Sequence, residues 1–187
     1  MNSQRVLSGR GLLTPIQCAF LSAFAGLADQ SAFFLTGGTA LSEFYLGHRL
    51  SFDLDFFTSQ EPLIVPFSYQ VEALGQDGEL QVAVVRRFAS YVEFLVTQGS
   101  ESLRVDLALD APFRFEAPVV SEYGVRVNSF ADLRVDKLLA YYGRAEPRDA
   151  VDLHFILQQE SLDHLLDLAA QKDPGFDLYW FARGDGS

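Results

Sequence analysis

The sequence predicts an α/β (α+β) fold, with a mixed sheet and its helices over residues 1–129 and a helical part over 130–187. Three observations carry this. Short apolar or alternating runs, several of them bounded by Gly or Pro, recur between residues 32 and 128. Helical periodicity replaces them from about residue 130. With 187 residues, 49% of them hydrophobic and including 17 Phe and 7 Tyr, the chain can fill one large core. No repeat, low-complexity tract or long linker marks two independent domains, so the boundary near 129 is soft.

Thr14-Pro15 pairs an N-cap residue with a first-turn proline, and Ile16, Phe20, Ala23, Phe24 and Leu27 follow at helical spacing. The apolar run 32–36 reads as a strand ended by Gly37-Gly38, and 39–47 returns to helical character. Residues 51–58 (SFDLDFFT) alternate, which assigns Asp53 and Asp55 to one face and Phe52, Leu54 and Phe56 to the other. A helix is expected over 66–76, then strands over 79–86, 91–97 and 103–109 as an antiparallel meander, with Gln98-Gly99-Ser100 as a turn. After a proline-punctuated stretch comes a short strand over 125–128. Helices are expected over 130–143, 147–159 and from Ser161 to about residue 170, followed by an aromatic tail whose Trp180 reads as a packing group.

Fourteen Lys and Arg against 25 Asp and Glu give a net charge of −11, which excludes a general nucleic-acid coat protein. The lone Cys18 cannot form an internal disulfide and sits in an apolar helical pattern, where a buried thiol is expected. The N-terminal residues lack a signal-peptide core, and no window approaches the roughly 18 apolar residues of a membrane span. A soluble cytoplasmic protein without a membrane partner is the expectation. His48, His154 and His164 lack zinc-site spacing, and there is no Walker-type lysine loop or hydrolase triad signature.

The chemistry concentrates in FLTGGTALSEFYLGHRLSFDLDFF, residues 34–57. Two carboxylates one residue apart on a strand have their bases roughly 7 Å apart on the same side, close enough to share divalent cations. Mg²⁺, or Mn²⁺, prefers carboxylate and phosphate oxygen, and two such ions about 4 Å apart can activate an attacking oxygen and stabilise departing pyrophosphate. Gly37-Gly38-Thr39 supplies the complement, since glycines let backbone approach phosphate and a following helix points N–H groups at it. Taken singly, a Gly-Gly pair is a tight turn and an Asp-X-Asp is a solvated strand edge. Together, on a strongly apolar element, they point to phosphate chemistry.

A two-metal site needs a third carboxylate. Asp106 alternates with Leu103, Val105, Leu107 and Leu109 and shares its face with Arg104, so it reads either as the third ligand and candidate base or as a salt bridge to Arg104. Arg49 and Ser51 precede the acidic pair, where they can bind phosphate or pin the turn. Arg134, Lys137, Tyr141 and Arg144 recur at three- and four-residue intervals, a partly cationic helix stripe that can offset phosphate charge or serve as a solvated, ion-paired face.

These residues resemble a known family. GGT-A-L (37–41) with R-L-S-F-D-L-D (49–55), then D-L-R-V-D-K-L-L-A-Y-Y-G-R (132–144) and P-R-D-A-V-D-L (147–153), look like the ordered motifs of the AbiEii/AbiGii type of the nucleotidyltransferase superfamily, associated with abortive infection and toxin–antitoxin pairs. The resemblance runs from about residue 33 to 157. It implies a nucleotidyltransferase-like mixed sheet flanked by helices, with a helical C-terminal part. It further implies phosphate contact at Gly37, Gly38 and Thr39, metal ligation by Asp53 and Asp55 with Asp106 as the third acidic position, and Lys137 reaching the triphosphate. Asp149, which shares a helix face with Asp152, would orient Lys137 or touch substrate.

The implied function is a Mg²⁺-dependent transfer of NMP from an NTP to an RNA, protein or small-molecule acceptor, as the toxin component of a pair with a cognate antitoxin. The alternative is a catalytically inactive nucleotide-binding or protein-interaction module with the same fold. It is motivated by a chain short for the family and by a charge ill suited to RNA. Acceptor, base preference and oligomeric state are not fixed by these residues.

Overall fold

The computed structural model describes residues 6–76 and 78–177. Trp180, expected as a packing group, lies outside the described residues. The architecture is the mixed α/β fold that the sequence predicts, with a seven-stranded sheet and six α-helices among the described residues. The chain divides into two compact units. One comprises 1–112 and 118–128; the other comprises 113–117 and 129–187.

In the first unit, α1 (Pro15–Phe24) starts where Thr14 and Gln17 form a reciprocal capping box. Strand β1 (Phe34–Thr36) leads directly into α2 (Gly37–Leu41), which continues as a π-type turn over Ser42–Leu46 and stops at Gly47 with φ +67°. Strand β2 (Leu54–Thr58) follows, then α3 (Glu61–Ala73). The expected helix at 66–76 therefore begins five residues earlier. Pro62 occupies the first turn, where no N–H is needed, and the buried stripe Ile64, Phe67, Ser68 and Val71 outweighs the one backbone bond that Pro66 forgoes.

Strands β3 (Gln81–Phe88), β4 (Tyr91–Gln98) and β5 (Glu101–Leu109) form the expected meander, with a bulge at Val85. Two-residue strands β6 (Val119–Val120) and β7 (Arg126–Val127) complete the order β3-β4-β5-β2-β1-β7-β6. Alternation in β2, β4 and β5 puts Leu54, Phe56, Val92, Phe94, Val96, Leu103, Val105 and Leu107 on one buried face. Helices α1 and α3 pack there. Phe24 stacks on Phe56 at 4.0 Å and meets Phe67 edge-on, while Phe33 stacks on Phe67 at 4.2 Å. Phe52 was expected on this face but is 62% exposed, because β2 begins only at Leu54 and nothing of the core reaches back to it. Cys18 is half-buried rather than buried, its Sγ 3.9 Å from the Tyr123 hydroxyl.

The segment before α1 is tied down by one carboxylate. Glu43, 1% exposed, accepts the backbone N–H groups of Arg10 and Gly11 at 3.0 Å and of Leu12 at 2.6 Å. Glu43→Ala strands all three donors and is expected to cost about 2–4 kcal/mol. Chemical denaturation checks this; a loss below about 0.5 kcal/mol would show that water replaces the carboxylate without penalty.

The second unit holds α4 (Phe130–Arg144), α5 (Pro147–Ile156) and α6 (Leu162–Lys172), with α4 packed on both others. Leu133, Val135, Leu138, Leu153, Ile156, Leu165 and Ala169 form its core, and Tyr142 meets Phe176 edge-on. Helix α4 ends at Arg144, one residue beyond the expected Gly143, with Ala145 in the left-handed region. The 113–117 segment belongs here because fully buried Asp132 accepts the N–H groups of Phe115 and Glu116. That carboxylate also takes the Ser129 hydroxyl and, at 2.8 Å, the Lys172 ammonium.

Candidate active site

The sheet face opposite the aromatic core carries a polar row built by strand register. Thr36 on β1 lies opposite Asp55 on β2, Asp55 opposite Asp106 on β5, Asp106 opposite Glu93 on β4, and Glu93 opposite Arg86 on β3. Neighbouring strands stand about 4.8 Å apart, so residues 55 and 106 are adjacent on one surface, and Asp53 lies just before the start of β2. The parallel pairing of β2 with β5 makes this juxtaposition.

The glycine bend closes onto the same carboxylates. Gly37 has φ +72°, and a Cβ built on it would fall 2.2 Å from Asp55 Oδ2. A Cβ on Gly38 would fall 2.5 Å from Arg49 Nη2 and 2.8 Å from Ser51 Oγ. Gly37 is required by its positive φ, and Arg49 and Ser51 sit directly beside Gly38. No side chain caps the N-terminus of α2. Thr39 is buried, and its hydroxyl donates to the Asp53 carbonyl at 2.5 Å, so this side chain fixes the start of β2. The Ser51 carbonyl is held in turn by Gln17 Nε2 at 3.0 Å.

Gly37→Ala combines a strained φ with a collision at Asp55. A loss of about 1–2 kcal/mol and a displaced carboxylate are expected. Differential scanning calorimetry together with nucleotide titration checks this, and an unchanged affinity would separate the bend from the site.

Asp106 is next to Asp55 in register, yet both of its oxygens are engaged. Arg104 grips it in a fork, Nε to Oδ1 at 3.2 Å and Nη2 to Oδ2 at 2.8 Å, and the Tyr91 hydroxyl donates to Oδ1 at 3.1 Å. Arg104 also donates to the Tyr91 oxygen at 3.0 Å and stands 3.6 Å from Glu93, which faces Arg86 at 3.3 Å. The hydrogen bonds that Arg104 donates to Asp106 hold the guanidinium above its usual range, against burial; burial first, then the Asp106 charge, raises the Tyr91 phenol despite the opposing Arg104 bond. Glu93, Arg86 and Tyr91 escape sequence reading, since only register reveals which residues stand beside Asp106.

An oxygen-only set of carboxylates suits a hard divalent ion, and of the two acids in the motif Asp55 stands against Gly37, with Asp53 two residues before it in the chain. Asp106 fits by position but not by side-chain setting. Among the described residues, no group of three or more His, Cys, Asp or Glu is arranged to hold a metal.

Lys137 and Asp149 belong to the second unit. The Lys137 ammonium, on a residue only 5% exposed, lies 3.1 Å from Asp149 and 2.7 Å from Asp152, both fully buried on α5. Arg144 adds a 2.9 Å bond to Asp149, and Arg134 pairs with Glu160 at 2.9 Å. The expected cationic stripe is therefore ion-paired within its own unit at Arg134, Lys137 and Arg144.

Burial pushes Asp149 up, but the Arg144 hydrogen bond and the Lys137 charge outweigh it and hold the carboxyl below its usual range. Asp132 behaves alike through Lys172, the Glu116 amide and Ser129. Their stabilisation is present above the unfolded value near 3.8 and is lost as pH falls through the lower folded values. The Tm gap between the wild-type chain and Asp132→Asn should be wide at pH 7 and close below about pH 4; a gap constant with pH would contradict this.

The family model described as "Nucleotidyl transferase AbiEii toxin, Type IV TA system" matches residues 19–178. Among solved structures, the nucleotidyltransferase toxin MenT4 of Mycobacterium tuberculosis superposes with a TM-score of 0.64 at 20% identity, over 84% of this chain and 62% of that one. JHP933 of Helicobacter pylori superposes with a TM-score of 0.56 at 20% identity, over 90% of this chain and 84% of that one. At such identity these likenesses show a shared fold, and the chain spans less than two thirds of the length of MenT4. No curated protein matches the sequence. No helix among the described residues is long and apolar enough to cross a membrane.

Proposed function

The chain belongs to the AbiEii family of nucleotidyltransferase toxins, and on that premise we propose that it transfers NMP from an NTP to an acceptor hydroxyl at the acidic row beside Gly37-Gly38. The observation that carries this reading is the register that sets Asp55 beside Asp106, with Asp55 Oδ2 against Gly37 and Arg49 and Ser51 against Gly38. In this reading the glycine bend admits phosphate, and the Arg49 guanidinium and Ser51 hydroxyl bind its oxygens. Asp53 and Asp55 hold a divalent ion, Mg²⁺ or Mn²⁺, which when bound neutralises phosphate charge.

The acceptor oxygen bonds to the α-phosphorus, the bond from that phosphorus to the bridging oxygen breaks, and pyrophosphate leaves with the bond's electron pair. The hydroxyl proton passes to a carboxylate of the row, for which Asp106 stands nearest Asp55 in register. Little covalent chemistry is asked of the protein, so positioning and charge supply the rate.

The biological setting of the reading is a cytoplasmic toxin restrained by a cognate antitoxin. The test is transfer of label from each α-labelled NTP, with Mg²⁺, to total RNA and to protein. A labelled product that requires Asp53 and Asp55 supports transfer. Tight nucleotide binding with no product from any acceptor class supports instead the inactive module, which the grip of Arg104 on Asp106 would suit.

A further inference from the structure

The acidic row carries its own counter-ion. Arg104 sits two residues before Asp106 on the same face of β5, and since Leu54 pairs with Val105, it stands level with the Asp53 position of the neighbouring chain segment. Its side chain is 49% exposed, while that of Asp106 is 11% exposed. The arginine is thus the solvent-facing partner, and the carboxylate is the covered one. The guanidinium meets both Asp106 oxygens and keeps further anchors at the Tyr91 hydroxyl and Glu93, so release of Asp106 leaves it tethered over the row.

A divalent ion and a guanidinium compete for the same carboxylate lone pairs, and the winner depends on what else each can bind. A triphosphate beside the glycine bend offers the guanidinium a second set of anionic oxygens.

We propose that Arg104 is a positioning residue that holds Asp106 in the nucleotide-free protein and exchanges it for the triphosphate, so that ion binding at Asp106 waits on the nucleotide. This rests on the acidic row being the ion and nucleotide site. Arg104 therefore has two opposite effects. Without nucleotide it weakens ion binding; with nucleotide it strengthens the complex. A residue that only braces the sheet would not produce opposite signs.

The test uses the full chain and two binding measurements. Mn²⁺ alone is titrated by the loss of the free-ion electron paramagnetic resonance signal, and a nonhydrolysable triphosphate is titrated calorimetrically at saturating Mn²⁺. Arg104→Gln is expected to tighten Mn²⁺ binding about tenfold and to weaken triphosphate binding about tenfold, within the usual range of coupling between sites. Tyr91→Phe, which removes one tether, should move both constants the same ways by less, and it keeps the test open if Arg104→Gln fails to fold.

The tightening should vanish when Asp106→Asn is already present, because the competition is for that carboxylate. Equal Mn²⁺ affinity in wild type and Arg104→Gln, or a tightening that survives Asp106→Asn, would overturn the role of Arg104 and leave the proposed activity standing. If neither protein binds Mn²⁺ nor triphosphate, the site itself is wrong and the role of Arg104 falls with it.

Discussion

Asp53→Asn is expected to lower nucleotide transfer by about 10³-fold while leaving the protein at least as stable as wild type. Asparagine keeps the shape of the side chain and removes the charge. The Thr39 hydroxyl anchors the backbone carbonyl of residue 53, and the substitution does not touch that bond. Asp55 and Asp106 are carboxylates set side by side by register, with Asp53 two residues before Asp55, so neutralising Asp53 removes a like charge from their neighbourhood. Activity and stability should therefore part company: transfer lost, Tm unchanged or raised. A variant that keeps wild-type turnover contradicts the assignment, and one that loses turnover only through unfolding contradicts the site's independence from the fold.

The second large effect is the reverse, a stability effect. Lys137→Met leaves Asp149 and Asp152, both fully buried, without the ammonium now 3.1 and 2.7 Å away. Removing one partner of a buried ion cluster costs about 3–5 kcal/mol, because the remaining charges keep their desolvation penalty. In a chain of 187 residues this lowers Tm by about 10 °C or more. Adding Asp152→Asn should recover part of the loss, since it removes one of the two buried negative charges that Lys137 offset. An unchanged Tm in Lys137→Met would show that water or a rearranged Arg144 already satisfies these carboxylates. Any activity measured on this variant has to be read beside its melting curve.

Local chemistry made part of the molecule readable in advance. Thr14-Pro15 and Gln17 name the start of α1, Gly99 names the turn between β4 and β5, and the alternation of Leu54, Asp55 and Phe56 names the two faces of β2. Each depends on residues a few positions apart. Asp53, Asp55 and the glycine bend were visible for the same reason, because nearby residues both announce and build them.

What depended on distant pairing was not readable. That β2 runs parallel to β5, setting residue 55 against 106, is a pairing between distant stretches of chain that no local pattern marks. Glu93, Arg86 and Tyr91 carry no motif. The helix spacing of Arg134, Lys137 and Arg144 left a phosphate-facing stripe and an ion-paired face both open, because periodicity says which residues share a side and not which acids come to meet them from α5 and beyond. Phe52 shows the limit of alternation: the pattern continues past the point where the sheet stops, and burial does not. The 113–117 segment, short and proline-flanked, gave no sign that buried Asp132 collects its amides.

The most direct test is a crystal structure of the full chain with Mn²⁺ and a nonhydrolysable nucleoside triphosphate. The account predicts an anomalous peak within about 2.5 Å of carboxylate oxygens of Asp53 and Asp55, phosphate oxygens against Gly37, Gly38, Arg49 and Ser51, and Arg104 released from Asp106. A triphosphate bound elsewhere, or a peak that avoids both Asp53 and Asp55, would contradict it.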